Sequence, residues 1–427
     1  MRPEPHELQE LVRDLHRRAV PWLPAGSGSR LEWGPAVQPG PRRHEPLVLS
    51  TAALNRIVEH NPGDFTVTVQ AGTPLVVLQQ ELARHQQWLS VDWPWGTAEV
   101  TAAAEPVDGG LCAGGLGAGS VGGLVARGLA GGYRQRYMGV RDQLIGIALL
   151  RADGTAARAG GKVVKNVAGY DLMRPLCGSW GSLALITEVT LRTQPLPPQR
   201  RGLWLHGPLP GLQLLARWVL NSSLSPERLD WHRHTLPSPQ AAAAAGGALL
   251  ISLASISPET LADQLNCIAD QARQAGLTAE TLERERLEAH LELGRGAAAP
   301  RPHWLLRVGV PCSQVPVLLD APELRGVSAV IGAGSGLGDL WADADQLPAY
   351  RVQALRRRCQ HLGGQLTVLR QPPGPPDCHI PAWLDAPSRP LIEAVKRQFD
   401  PKQQLARGRL PGVQPLPQHE LRASPAG

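Results

Sequence analysis

Three glycine-rich segments in the first half of the chain can do chemistry with backbone atoms. The first is Gly26-Ser27-Gly28-Ser29. Successive N–H groups in such a turn can form a nest for an anion, and small side chains let a phosphate approach. The same composition is typical of an ordinary surface loop, so this segment alone leaves both interpretations open.

The second segment formally matches the dinucleotide-binding motif G-x-G-x-x-G. It runs from Gly117 to Gly122, and Asp142 follows at the spacing of the ribose-binding acid. Its context does not fit, because no apolar strand precedes it and Gly131-Gly132 interrupts the helix pattern that follows. We therefore reject a Rossmann βαβ unit here.

The third segment carries a longer pattern that no general spacing rule explains. It contains Lys165-Asn166, then Gly169-Tyr170-Asp171-Leu172, then Gly178-Ser179-Trp180-Gly181-Ser182-Leu183-Ala184-Leu185-Ile186-Thr187-Glu188. This resembles the signature K-N-x-A-G-Y-D-L followed by G-S-x-G-T-L-G-x-I-T-E of FAD-linked 2-hydroxy-acid oxidases and dehydrogenases. The chain thus resembles the FAD-binding PCMH-type (vanillyl-alcohol oxidase) family and, within it, the FAD-binding subunits of bacterial glycolate oxidases.

The resemblance extends to other segments in the family's order. Pro24 to Ser29 is similar to the first FAD loop, and Ser120 to Gly123 to the turn against the cofactor. Tyr137 to Gly139 resembles the Y-G element, and Arg407 to Leu410 the C-terminal return. The cofactor-binding residues that this implies are Pro24, Gly26, Ser27, Gly28, Ser29, Ser120, Val121, Gly122, Gly123, Tyr137, Gly139, Lys165, Gly169, Tyr170, Gly181 and Ile186.

Departures from the family's pattern refine the expected cofactor chemistry. The Gly26 loop has no His or Cys, the residues through which covalent members attach flavin, so we expect non-covalent FAD. Larger members carry an H-G-D-G-N-x-H metal motif that this chain lacks. His232-x-His234 is isolated and expected at the surface, because a metal site needs further ligands. We expect no metal.

Oxidation of a hydroxy acid also needs a cation for the carboxylate and a base for the hydroxyl proton. Arg307 and Arg370 are the candidate cations, or else ordinary exposed arginines. Lys165 can stabilise the reduced flavin or be a surface lysine. Tyr170 can contact the ring or pack in the core. No residue stands out as the base.

These residues must be positioned by more than one domain, because 427 residues exceed what a single core organises. The resemblance implies an α+β protein with a two-subdomain FAD-binding domain over residues 1–198 (subdomains about 1–95 and 96–198). An α+β cap or substrate domain over 199–385 follows, and segment 386–427 returns to the FAD domain.

Local patterns predict some of the elements. Leu8, Leu11 and Leu15 recur at helical spacing, and residues 65–69 alternate like a half-buried strand. Leu54, Ile57 and Val58 suggest a short helix. Thr73 is expected to cap the next helix, with Pro74 at its first position.

Composition excludes several classes of function. The net charge is +6, but basic residues are scattered, which argues against a nucleic-acid groove. The densest run, Arg356 to Arg358, is expected on a solvated helix face. Six cysteines include no C-x-x-C pair, so we expect neither zinc nor an iron–sulfur cluster. No apolar stretch is long enough to span a membrane or act as a signal peptide, which favours a cytoplasmic protein with peripheral attachment through partners left open.

We therefore expect an FAD-dependent oxidoreductase acting on CH–OH groups. It would be the FAD-binding subunit of a glycolate (2-hydroxy-acid) oxidase or dehydrogenase, passing electrons from a small hydroxy acid through flavin to a partner. The expected partners are a second FAD subunit and an iron–sulfur subunit, because this chain has no cluster of its own. Two alternatives stay open: a stand-alone flavin-dependent alcohol or sugar oxidase, and a non-catalytic assembly subunit.

Overall fold

The computed structural model describes residues 1–39, 46–92, 119–162, 170–233, 247–294, 304–374 and 379–410. The helices are α1 (Leu8–Arg17), α2 (Leu75–Arg84), α3 (Val121–Arg127), α4 (Arg134–Tyr137), α5 (Val140–Gln143), α6 (Met173–Leu176), α7 (Leu209–Leu220), α8 (Pro258–Gln274), α9 (Arg284–Gly294), α10 (Val315–Leu319), α11 (Ala349–His361) and α12 (Arg389–Phe399). The strands are β1 (Trp22–Ala25), β2 (Leu47–Ser50), β3 (Ile57–Asn61), β4 (Thr66–Gln70), β5 (Gln87–Trp88), β6 (Leu144–Leu150), β7 (Ala156–Gly160), β8 (Leu185–Arg192), β9 (Gln194–Pro195), β10 (Gln199–His206), β11 (Arg228–Arg233), β12 (Ala248–Ser255), β13 (Thr278–Leu282), β14 (Trp304–Gly309), β15 (Ser328–Gly332), β16 (Leu337–Ala342) and β17 (Gln365–Arg370).

The N-terminal half is built on a small and a larger sheet. β1 and β2 pair in parallel, while β3-β4-β8-β6-β7 form an antiparallel sheet. The alternation in β4 and β8 places Val67 and Val69 in the core, and the Thr68 and Thr190 hydroxyls meet across the strands at 2.9 Å. Leu75, Leu78 and Leu82 form the fully buried face of α2.

The second half, which we call the cap, is built on an eight-stranded antiparallel sheet in the order β13-β10-β12-β11-β15-β16-β14-β17. Its largest core combines sheet residues with the apolar faces of α7, α8 and α11. In α8 that face is Leu261, Leu265, Ile268 and Ala272, at the helical spacing visible in the sequence. The predicted α+β class is confirmed.

The chain then returns to the N-terminal half through α12. The Lys396 ammonium is buried, donating to the Ser182 carbonyl at 2.6 Å, the Asp400 carboxylate at 2.6 Å and the Leu405 carbonyl at 2.8 Å. The Trp22 N–H donates to the Gln404 carbonyl at 2.8 Å. Residues 396–405 therefore fasten β1 to the segment before β8, and the predicted return of the C-terminal segment is confirmed.

Buried ion pairs join the cap to the N-terminal half. The Asp92 carboxylate accepts from the Gly131 N–H at 2.9 Å and from the Arg228 guanidinium at 2.5 Å. Arg228 also pairs with Asp230 at 2.8 Å, and burial raises the pKa of that carboxyl. Because Arg228 and Asp230 lie on β11, these contacts fix the cap sheet against the loop after α3.

Four local expectations prove wrong. Ile57 and Val58 belong to β3, paired with β4, rather than to a helix. Thr73 does not cap α2, because Pro74 occupies that position and the Thr73 hydroxyl donates to the Arg56 carbonyl instead. Arg356 is buried and donates to the Pro381 and Ala382 carbonyls.

The fourth wrong expectation concerns His232, which is buried within β11 rather than at the surface. His234 lies outside the described residues. Among the helices described here, none is long and apolar enough to cross a membrane.

Candidate cofactor cleft

The first wall of the cleft is the loop that follows β1. The parallel pairing of β1 and β2 holds it, since the Thr51 N–H donates to the Ala25 carbonyl at 2.7 Å and the Ser50 hydroxyl to the Gly26 carbonyl at 3.0 Å. Gly28 has φ +75°, a left-handed conformation that favours glycine. Within the described part of the chain, the N–H groups of residues 27–29 donate no hydrogen bond. They are therefore available to an anion in the cleft.

The second wall is the turn into α3. The Ser120 hydroxyl caps this helix by accepting from the Gly123 N–H at 3.2 Å. The Gly122 N–H donates to the Ala71 carbonyl at 2.7 Å. A Cβ on Gly122 would lie 2.7 Å from the Ala71 Cβ, and one on Gly26 would lie 1.9 Å from the Ser120 Oγ. Glycine is required at both positions, because the first loop touches Ser120 and the turn into α3 touches Ala71 after β4.

The third wall precedes β8. Trp180 and Gly181 both have positive φ, +56° and +72°. The Trp180 N–H donates to the Ala126 carbonyl at 2.8 Å, which anchors this turn on α3. The wall then continues through Ala184 and Ile186 into β8.

These walls line an open cleft whose empty volume, including its open mouth, is about 730 Å³. Among its lining residues are ten that the resemblance implied: Pro24, Gly26, Ser27, Gly28, Ser29, Ser120, Gly122, Gly123, Gly181 and Ile186.

Four other implied residues are described and lie outside the cleft lining. Val121 is packed in the core behind the second wall. The Tyr137 hydroxyl donates to Glu227 of the cap at 2.5 Å, and Gly139 begins α5 outside the cleft lining. Tyr170 is 91% exposed. Lys165 and Gly169 fall outside the described residues.

Three arginines in the cleft were missed from the sequence. Arg30, Arg127 and Arg409 come from the first wall, the end of α3 and the returning C-terminal segment. Burial lowers the pKa of Arg30 and of Arg409 to about 10. Burial, with repulsion from the other two guanidiniums, lowers the pKa of Arg127 to about 9. The Glu32 carboxylate raises the pKa of all three guanidiniums slightly. Its side chain is exposed, however, and makes no ion pair with them in the described region.

The donor set fits a bound dinucleotide diphosphate. Backbone N–H groups and guanidiniums are the groups that bind phosphate oxygens, and the first wall, Arg30 and Arg409 supply both. Arg30 donates to the Ser29 hydroxyl at 2.8 Å, so its charge lies beside the loop with unused N–H groups. The signal for Arg30 was its position directly after that loop, but nothing in the sequence joined it to Arg127 or Arg409.

A second cavity adjoins the cleft where the cap meets the N-terminal half. Its empty volume is about 470 Å³, and Leu124, Leu129, Trp33 and Leu369 supply its apolar lining. Arg127 lines both this cavity and the cofactor cleft.

The two candidate cap cations lie near this junction on neighbouring strands. Arg307 lines the second cavity, pairs with Asp339 at 3.0 Å and donates to the Ala130 carbonyl. Arg370 ends β17 opposite Leu305, and its side chain also has a partner. In the described ranges no group of three or more His, Cys, Asp or Glu side chains is arranged to hold a metal ion.

Comparison with known proteins identifies an FAD-binding domain in the N-terminal part of the chain. Residues 4–110 match the model of a family described as an FAD binding domain. The chain carries a PCMH-type FAD-binding domain. The predicted cofactor, FAD, is therefore confirmed, and the first wall and Arg30 of the cleft lie within the matched residues.

Curated relatives of the FAD-binding domain include oxidases and dehydrogenases. The chain is 36% identical over 141 residues to glycolate oxidase subunit GlcE of Escherichia coli (strain K12), covering 33% of this chain and 35% of that protein. It is 34% identical over 197 residues to D-2-hydroxyglutarate dehydrogenase of Xanthomonas citri pv. viticola, covering 45% and 36%. It is 28% identical to glycolate oxidase subunit GlcD of Bacillus subtilis (strain 168), covering 46% and 37%. The chain thus spans little more than a third of the length of these relatives.

A solved structure extends the likeness through the cap. Alkyldihydroxyacetonephosphate synthase matches with a TM-score of 0.65, covering 96% of this chain and 77% of its own. At 14% identity the match concerns the fold alone. It shows that the FAD-binding domain and the cap together follow a known architecture.

Proposed function

We propose that this protein is an FAD-dependent oxidoreductase that converts a 2-hydroxy acid to the 2-oxo acid. The observation that carries the proposal is the apolar cavity directly beside the FAD cleft, with arginine at their junction. The curated relatives support it, because they are named as glycolate oxidase subunits and a 2-hydroxyglutarate dehydrogenase.

FAD, when bound, supplies the acceptor for the hydride that leaves C2 of the substrate. The chain's own residues would bind the carboxylate, exclude water and receive the hydroxyl proton. The apolar side chains of Trp33, Leu124 and Leu369 serve the second role. Asp92 and Asp339 are the carboxylates that line the cavity, so they are the candidates for the base.

The test is anaerobic reduction of the purified holoprotein. Glycolate, D-lactate, L-lactate and D-2-hydroxyglutarate would be mixed with it singly, beside a simple alcohol and an aldose as controls. Loss of the visible flavin band with a 2-hydroxy acid, together with formation of the 2-oxo acid, is the expected result. Reduction by the alcohol or the sugar instead would identify a different oxidase.

We further propose that the chain works as a subunit and passes electrons to a partner. The relatives named as glycolate oxidase subunits support this role, as does the lack of a C-x-x-C pair. Isolated chain should then turn over glycolate slowly with an artificial acceptor, and a second flavoprotein with an iron–sulfur subunit should restore the rate. Fast turnover by the chain alone would refute the subunit role. Bound FAD that no hydroxy acid reduces, with or without partners, would indicate an assembly subunit.

A further inference from the structure

Arg127 occupies a position that no other cleft arginine shares. Arg30 and Arg409 line only the cofactor cleft, whereas Arg127 also lines the second cavity. The guanidiniums of Arg127 and Arg30 both lie over the Trp33 ring at 5.4 Å from the centroid, but of the two only Arg127 lines the second cavity with Trp33. The charge of Arg127 is therefore presented at the boundary between the cofactor and the space beside it.

The other charges of the second cavity are already compensated. Arg307 pairs with Asp339 at 3.0 Å, and Asp92 pairs with Arg228 at 2.5 Å. Among the described residues, no carboxylate pairs with Arg127, which leaves one net positive charge at a mostly apolar cavity. Such a charge favours the binding of an anion whose remaining part is small and apolar.

The cofactor does not need Arg127 as its counter-charge. The diphosphate is a dianion, and Arg30, Arg409 and the unused N–H groups of residues 27–29 all face the cleft that holds it. A carboxylate in the second cavity would complete the charge balance of Arg127. It would also place the substrate beside the flavin, as hydride transfer requires.

We propose that Arg127 binds the carboxylate of a small 2-hydroxy monocarboxylic acid in the cavity between the FAD-binding domain and the cap. The proposal rests on the proposed function for the identity of the reacting group. Monocarboxylates are favoured over dicarboxylates because a second carboxylate would meet Asp92 or Asp339 rather than another uncompensated cation. Arg307 cannot serve as that cation while it is committed to Asp339 and the Ala130 carbonyl.

The experiment uses the FAD-loaded full chain and oxamate, an unreactive monocarboxylate analogue of a 2-oxo acid. Its dissociation constant is read from the change in the visible flavin spectrum. Arg127→Gln should raise that constant about 10- to 100-fold, the loss expected for a charged hydrogen bond. Arg127→Lys should lose less because it keeps the charge without the fork geometry. Arg141→Gln, at an exposed arginine of the same domain, is the matched control and should bind oxamate normally.

Flavin content, thermal melting and a dicarboxylate titration distinguish the outcomes. Arg127→Gln and Arg127→Lys should both retain FAD, and D-2-hydroxyglutarate should bind the wild-type protein more weakly than glycolate does. Loss of FAD from a folded variant would overturn the proposal by assigning Arg127 to the cofactor. Unchanged oxamate binding, or tighter binding of the dicarboxylate, would also overturn it. If oxamate binding depends on Arg127 but no 2-hydroxy acid reduces the flavin, the carboxylate site stands and the proposed function fails.

Discussion

An added methyl group should have different effects at two adjacent glycines. At Gly122 it should lower the stability of the protein, whereas at Gly123 it should weaken the binding of FAD. A Cβ on Gly122 would lie 2.7 Å from the Ala71 Cβ and 2.8 Å from the Ala71 carbonyl oxygen, where ordinary contact begins at 3.4 Å. Helix α3 must therefore move off β4 by about 0.7 Å in Gly122→Ala. Overpacking of this size costs about 1–3 kcal/mol of unfolding free energy.

Gly123→Ala adds the same methyl group on the cleft side. Its Cβ meets the Ser120 Oγ at 3.3 Å and the end of Arg127 at 4.0 Å, and no backbone within 4 Å. Alanine is a better helix former by up to about 1 kcal/mol, which offsets the tight Ser120 contact. The apoprotein should stay within about 0.5 kcal/mol of wild type. FAD should bind at least tenfold more weakly, about 1.4 kcal/mol, because the methyl group enters the cofactor space.

The assays are urea unfolding of the apoproteins and titration of each with FAD. Gly122→Ala should shift the apoprotein melting temperature down by about 2–4 °C for each kcal/mol lost. A Gly122→Ala protein as stable as wild type would refute the packing argument. A Gly123→Ala protein with wild-type affinity for FAD would show that the cofactor does not approach the second wall.

Further predictions concern the cofactor link, the buried lysine and the thiols. Acid precipitation should release the flavin into the supernatant, and colour that stays in the pellet would indicate a covalent bond. Lys396→Ala should lower the unfolding free energy by about 3–5 kcal/mol, because it leaves the buried Asp400 carboxylate uncompensated; a loss under 1 kcal/mol would contradict the buried pair. Burial raises the pKa of the Cys359 thiol to about 12, so alkylation at mildly alkaline pH followed by mass spectrometry should mark the exposed Cys267 and Cys312 and spare Cys359 until unfolding. Labelling of Cys359 at the same rate as Cys267 would contradict the packing of α11.

The glycine walls could be predicted from the sequence because their constraints are local. Gly26 and Gly122 stand where a neighbouring segment leaves no room for a side chain, and the resemblance includes both glycines in short sequence patterns. The alternation of residues 65–69 and the spacing in α1 and α8 also predict their elements. The prediction of a helix at Ile57 and Val58 was wrong because a short apolar run fits a strand or a helix equally well.

The arginines could not be predicted because they meet only through the tertiary fold. Arg30, Arg127 and Arg409 come from a loop, a helix end and a returning segment, with no spacing that relates them. The prediction that Arg356 is solvated was wrong for a related reason. A long side chain on a charged helix can turn inward when carbonyl groups of another segment accept its hydrogen bonds. Sequence patterns describe faces of single elements, whereas these contacts depend on neighbours far along the chain.

The return of α12 and the residues after it has a consequence for biosynthesis. Arg409 donates to the carbonyl of Leu31 across 378 positions, and Gln404 donates to that of Leu15 across 389. Contacts between residues so far apart in the sequence form late. During synthesis, residues 404 and 409 leave the ribosome after the other residues of the cleft. A nascent chain in which β1 and α3 have already folded still lacks the Arg409 guanidinium of the cleft. It also lacks Lys396 and its contacts with Ser182 and Asp400. Flavin loading should therefore be a post-translational event, and a partly synthesised chain would stay without the ligand that stabilises it against proteolysis.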